Sequence, residues 1–151
     1  MNPILSYCEQ NDISVRTFEA GETVIKEGAE EDLLFVMKSG KVSIRRAELE
    51  LSSIDYAGAL FGEVSILVGG AYTATVISTE QSSFYVIENG PTFLEENPKL
   101  GLHVAYVLAS RLKAITTNMA SLDHEMGDQE EELDLMTDLV GGLMRMQERK
   151  Q

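Results

Sequence analysis

Between residues 14 and 88 the apolar residues fall into short runs rich in β-branched and aromatic side chains. The runs are VRTFE at 15–19, TVIKEG at 23–28, LLFVMKSG at 33–40, KVSIRR at 41–46, LELSSI at 49–54, TATVIST at 73–79 and SSFYVIE at 82–88. Gly21, Gly28, Gly40, Gly58, Gly62 and the pair Gly69-Gly70 punctuate them. Short strands with glycine turns at this spacing predict an antiparallel sandwich or jelly roll and argue against βαβ units. Ahead of them, PILSYCEQN at 3–11 predicts a short helix opened by Pro3, with Ile4, Leu5 and Cys8 on one side. After NGPTFLEENP the period changes from two to that of a helix, and no proline occurs from 100 to 150. The expected organisation is therefore α+β: residues 1–99 form a helix plus a β jelly roll, and residues 100–151 form a helical segment.

The helical segment carries a heptad register. Steps of four and three from Leu108 reach Leu112, Ile115, Met119, Leu122, Met126, Gln129, Leu133, Met136, Val140, Leu143 and Gln147; ten of these twelve positions are apolar. Such a stripe is the seam of a coiled coil or helical bundle. Residues 104–115 can cover part of their own β domain, but 116–147 is too long a stripe for one small domain. A second chain is the expected cover, as a homodimer or higher oligomer or through another protein. Gly127 and the pair Gly141-Gly142 each cost a helix about 1 kcal/mol relative to alanine, which leaves a break or hairpin near 127 open. In a parallel dimer Glu125 and Glu130 would meet as like charges across the seam. Leu139, Met144 and Met146 widen the stripe, and this suits a four-helix arrangement or a groove for another protein.

Charge narrows the choice of partner. Twelve basic against 25 acidic residues give a net charge of −13, which repels phosphate backbones and acidic membrane faces. Eight of the acids lie in 123–138, where there is no lysine or arginine. Nucleic acid is not an expected partner. No apolar run approaches the roughly 18–20 residues that span a bilayer, so direct membrane insertion is not expected. The single cysteine, Cys8, cannot form an internal disulfide, and the N-terminus lacks the pattern of a secretory signal. The cytoplasm is the expected compartment. His103 and His124 both fall in the helical half, which argues against the strand-borne metal sites of some jelly-roll enzymes and against a histidine-based catalytic triad. Cys8 reads as a small packing residue. Neither a metal, a cofactor nor catalysis is expected.

The order TFEAGETVIKEGAEEDLLFVMKSGKVSI, then GALFGEVSILVGGAYTATV at 58–76, then SSFYVI, then helices, resembles the cyclic nucleotide-binding domain family. That family includes the catabolite activator protein and the regulatory subunits of protein kinase A. The resemblance covers about residues 13–122 and is most specific in its glycines, in Phe61-Gly62-Glu63 and in Ala74-Thr75-Val76. It implies that 58–76 is a phosphate-binding cassette, whose short helix turns its first amides toward the cyclic phosphate. Backbone N–H groups at a helix start suit an anion, and glycine permits close approach. Gly62, Glu63, Val64 and Ser65 would form this surface, with Tyr72 and Thr73 beside it. Glu63 would accept the ribose 2′-hydroxyl, a task that suits an acceptor-only carboxylate.

The family places an arginine just before the Ala-Thr-Val segment to clamp the phosphate, and this chain has Tyr72 there. A tyrosine offers one neutral donor in place of a charged two-pronged one. Loss of such a contact costs on the order of 1.5–3 kcal/mol, or roughly one to two decades of affinity. Three readings stay open: a cyclic mononucleotide held weakly or in a changed pose, another ligand such as a cyclic dinucleotide, or an empty relic. Glu63 could also simply cap the amides of its own turn. The catabolite activator relatives carry a DNA-reading domain after their dimer helix, but the residues after Leu122 here are few and acidic, with Arg145, Arg149 and Lys150 at the end. A DNA-reading role is not expected.

The expected function is that of a non-enzymatic regulatory module. As a sensor, ligand at Gly62–Ser65 would shift the helix from about 91 to 115 and so alter the seam. As a degenerate scaffold, the pocket is closed by Tyr72, and partners are met through the surface and through Met119, Met126, Met136, Met144 and Met146.

Overall fold

The computed structural model of the chain describes residues 2–126, and side chains as far as residue 119. It divides into two compact units, Met1–Val104 and Ala105–Gln151. The first begins with helix α1, Pro3–Gln10, whose Asn2 cap accepts hydrogen bonds from the amides of Ile4 and Leu5. Ile4 and Cys8 are buried on its inner side. Strands come next at Val15–Phe18 (β1), Thr23–Ile25 (β2), Leu34–Ser39 (β3), Val42–Arg46 (β4) and Leu49–Ile54 (β5). Leu60–Phe61 (β6), helix α2 at Glu63–Val68, Thr75–Ser78 (β7) and Ser82–Ile87 (β8) complete the β region.

The strands form two antiparallel four-stranded sheets, in the orders β1-β8-β3-β6 and β2-β7-β4-β5. Alternation along β3 explains the layering. Phe35 and Met37 point between the sheets, where they join Val42, Val76, Phe84 and Val86 in the core. Leu34 and Val36 point to the opposite face and are also buried, with α1 against β3. Phe84 is the centre of the inner layer: it is fully buried and meets Phe18, Phe35 and Phe61 edge-on, at centroid distances of 5.8, 6.2 and 5.8 Å.

The jelly roll expected from the glycine-punctuated runs is present. Strand β6 was not among the expected strands, because two residues are too few to display a period of two. Its pairing of Phe61 with Phe35 and Leu60 with Val36 nonetheless hangs the start of the 58–76 segment on the central strand. Beyond β8, two helices occur where the sensor reading expected one from about residue 91: α3 at Gly90–Glu96 and α4 at Pro98–Met126. Pro98 explains the break, since its ring disfavours helical geometry at Asn97, which lies at φ −127°, ψ 71°. All three prolines stand in the first turn of a helix.

In the second unit α4 continues unbroken to Met126. Along the predicted seam Leu108 is half-buried, Leu112 and Ile115 are 44% and 48% exposed, and Met119 is buried. The side chains of Leu122 and Met126 lie beyond those described. Leu133, Met136, Val140 and Leu143, and any break at Gly127, lie outside the described residues. Among the described residues no helix is long and apolar enough to cross a membrane.

Phe84→Ala removes the ring that three others share and is expected to cost about 3–5 kcal/mol of unfolding free energy. Urea denaturation monitored by circular dichroism measures this. A loss below about 1 kcal/mol would mean that the aromatic layer is not the main source of stability.

Candidate functional site

The 58–76 segment leaves β6 through Gly62, which sits in the left-handed region at φ 85°. A Cβ at this position would lie 2.7 Å from the Leu33 carbonyl oxygen and 3.1 Å from Cε1 of Tyr72. Glycine is therefore required twice over, by the backbone conformation and by the close approach. Helix α2 starts at once with Glu63, which is only 5% exposed, and the Ile66 amide donates to the Gly62 carbonyl at 3.2 Å. An acid in the first turn faces the positive end of the helix. Val64 is on the open side of α2, together with Leu67 and Val68.

The return arm is held by the segment's own polar groups. Ser65 Oγ donates to the Ala71 carbonyl at 3.1 Å, and the Gly69 amide donates to the Ser65 carbonyl at 2.8 Å. The Tyr72 amide donates to the Ala29 carbonyl and the Gly28 amide to the Tyr72 carbonyl, both at 2.9 Å. The Glu27 amide donates to Thr75 Oγ1 at 3.0 Å, so the arm is tied to the turn after β2. Thr73 is exposed between these anchors.

Tyr72 points inward. It is 5% exposed, belongs to the core layer, and donates its hydroxyl to the Leu33 carbonyl at 3.1 Å. Burial pushes its pKa above the usual tyrosine value, and the negative charges of Glu31 and Asp32 push it further. The hydroxyl thus remains a neutral donor at any physiological pH. Residues 58–76 contain no lysine, arginine or histidine, and Glu63 is their one carboxylic acid.

Six residues were expected at the site, and each has a defined place in the segment. Gly62 and Tyr72 meet on the inner side, Glu63 is buried at the start of α2, Val64 and Thr73 are exposed, and the Ser65 hydroxyl is engaged across the loop. Two cavities in the first unit are lined by other residues. One of about 440 Å³ is lined by Arg16, Glu31, Asp32, Leu33, Glu88 and Asn89. The other, of about 590 Å³, lies between α1 and the α3–α4 turn, by Tyr7 and Leu100. Neither is lined by any of the six. Two contacts of the segment were not anticipated from sequence. The Leu33 carbonyl is a backbone group that no side-chain pattern announces. Gly90 lies so close to Ile66 that a Cβ would stand 2.5 Å from its Cδ1, and its signal was only an Asn-Gly-Pro turn.

Among the described residues no group of three or more His, Cys, Asp or Glu is placed to hold a metal ion. Cys8 is buried, and burial with the nearby Glu9 charge pushes its thiol up to about 11. Burial also lowers the pKa of His103.

The sequence profile of the cyclic nucleotide-binding domain matches residues 15–93, just over half of the chain. The chain belongs to the cyclic nucleotide-binding domain family. Its relatives include the CRP-like cAMP-activated global transcriptional regulator of Mycobacterium tuberculosis, 32% identical over 111 residues, covering 70% of this chain and 50% of that one. The cGMP-dependent protein kinase of Plasmodium berghei is 32% identical over 69 residues, 46% of this chain and 8% of the kinase. This cyclic nucleotide-binding domain thus spans no more than half the length of these relatives.

Among solved structures, the catabolite activator protein of Thermus thermophilus superposes with a TM-score of 0.66 at 23% identity, over 80% of this chain and 60% of that one. The N-terminal domain of a Streptomyces coelicolor transcriptional regulator gives 0.56 at 24% identity, over 76% and 86%. At these identities the likeness establishes the jelly-roll fold alone. In this cyclic nucleotide-binding domain, the segment from Gly62 to Val76 lies within the matched region and ends in β7.

Gly62→Ala is expected to unfold at lower urea than Gly21→Ala. Both positions have positive φ, at a cost of about 1–2 kcal/mol for alanine. Of the two, Gly62 alone would bring the added carbon within 4 Å of other atoms. Equal losses in the two variants would show that the approach to Leu33 and Tyr72 is not tight.

Proposed function

We propose that this chain is a non-enzymatic cytoplasmic regulatory module of the cyclic nucleotide-binding type, in which Tyr72 takes the place of the phosphate-clamping arginine and cyclic mononucleotides bind weakly or not at all. The observation that carries this reading is the inward Tyr72, 5% exposed and hydrogen-bonded to Leu33 at 3.1 Å. A phosphate at this place would meet no cation from residues 58–76, and the charges of Glu31 and Asp32 act on the Tyr72 hydroxyl. The net charge of −13 adds unfavourably for any anionic ligand. With no cyclic mononucleotide as the main input, the output passes through contacts with proteins. Leu112 and Ile115, exposed along α4, support a seam that a second copy or another protein covers. The same charge argues against nucleic acid as a partner.

A second reading has its own support. The Gly62 turn and the buried Glu63 at the start of α2 are intact, and Ile66 packs on Gly90 of α3. A ligand that does not require a cation at position 72 could therefore still move α3 and the helix beyond it. In this reading the domain is a sensor for a cyclic dinucleotide or for an altered pose of a mononucleotide, with Gly62, Glu63, Val64, Ser65 and Thr73 at the ligand.

Calorimetric titration of the full chain with cyclic AMP, cyclic GMP and a cyclic dinucleotide separates the two. No saturable heat is expected from the mononucleotides with the wild type, and a gain of roughly tenfold or more in affinity is expected in Tyr72→Arg. Saturable heat in the wild type that disappears in Glu63→Ala would replace the first reading with the second. For the seam, analytical ultracentrifugation is expected to find a dimer or larger for the full chain and a monomer for a chain ending at Lys113. Two monomers would remove the self-association claim.

A further inference from the structure

The contacts around Tyr72 close into a ring. Its hydroxyl is bound to the Leu33 carbonyl at 3.1 Å, and the preceding carbonyl, that of Asp32, accepts the Gly90 amide at 2.9 Å. Gly90 begins α3 and fits under the Ile66 side chain with no room for a Cβ. Ile66 belongs to α2, whose entry at Gly62 packs on both the Tyr72 ring and the Leu33 carbonyl. Two neighbouring carbonyls just ahead of β3 are thus held, one by the cassette and the other by α3. The direct α2–α3 contact completes the circuit.

We infer that the Tyr72 hydroxyl is a latch that keeps α2 and α3 packed together in the absence of any ligand. This rests on the reading that Tyr72 takes the place of the phosphate-clamping arginine. In a closed ring no member can move away without breaking two contacts, so α2, the 32–33 segment and α3 open as one unit. Of the two hydrogen bonds in the ring, the one from Tyr72 is made by a side chain and the one from Gly90 by the backbone. Removal of the tyrosine oxygen leaves the ring of Tyr72 in the core and the Leu33 carbonyl held only by its packing on Gly62, without a hydrogen bond from the segment. The consequence is a domain whose α3 position is set by its own tyrosine, so that its regulation lies in whatever breaks or competes for the bond to the Leu33 carbonyl.

Native-state hydrogen exchange on the full chain without nucleotide tests the latch. In Tyr72→Phe the amides of Gly90, Phe93 and Asn97 are expected to exchange about three- to tenfold faster. Amides of the β4–β7 ladder, such as Ser43 and Ile77, are expected to keep their wild-type rates. Coupling is reciprocal, so Ile66→Ala, which opens the ring on the opposite side, is expected to speed exchange at the Tyr72 and Gly28 amides. Unchanged α3 rates in Tyr72→Phe would overturn the latch, as would an equal acceleration of α3 and the ladder or the lack of a reciprocal effect in Ile66→Ala. Because no nucleotide is present, this outcome is independent of the calorimetric one. A wild type that binds cyclic AMP tightly sinks the proposed function, whereas slow, unchanged α3 amides sink the latch.

Discussion

The closure of two four-stranded sheets over a single aromatic layer is the constraint on which everything else in the first unit depends. Phe84 and the three rings around it fill the space between the sheets, and Tyr72 extends the same layer toward the 58–76 segment. A small domain has little apolar area in reserve, so each large ring in its core weighs heavily on the balance. Tyr72 is thereby committed to the interior before any question of ligand arises. A long cation at that position could not be buried without a partner for its charge, and the neighbouring amides and carbonyls are already engaged with Ala29, Gly28 and Leu33.

That commitment changes what the cassette can do. In the family pattern a carboxylate and a cation divide the work on sugar and phosphate. Here Glu63 is buried, and Tyr72, which the resemblance sets against the family's arginine, belongs to the core. A neutral hydroxyl that binds a backbone carbonyl stabilises the segment from within, independently of salt and of ligand concentration. The segment keeps the shape of a cassette, with Gly62 in the left-handed region and a short helix behind it, while the Ser65 and Tyr72 hydroxyls are turned to internal bonds.

Two helices follow the β region. Asn97 and Pro98 divide the path from the cassette into two rods, one touching α2 through Gly90 and Ile66 and the other continuing into the apolar stripe of α4. The acidic character of the chain sets the sign of any partner met along the way.

Much of this was legible in sequence because it depends on local chemistry. Glycine turns and β-rich runs announced the jelly roll, Pro3 opened α1, and the Phe-Gly-Glu and Ala-Thr-Val motifs led to the family. The resemblance also implied that Tyr72 stands where the family pattern has an arginine, since this is a matter of residue type alone. It could not show where the ring points, because inward and outward rotamers of a residue on a connecting arm differ only in what the distant Leu33 and Gly62 offer it. Strand β6 and the Gly90–Ile66 contact were hidden for the same reason: two residues have no readable period, and a missing Cβ speaks only when its neighbour is in place. Residue chemistry along the chain was decided by sequence; which backbone carbonyl satisfies the buried tyrosine was decided only when residues 33 and 72 met in space.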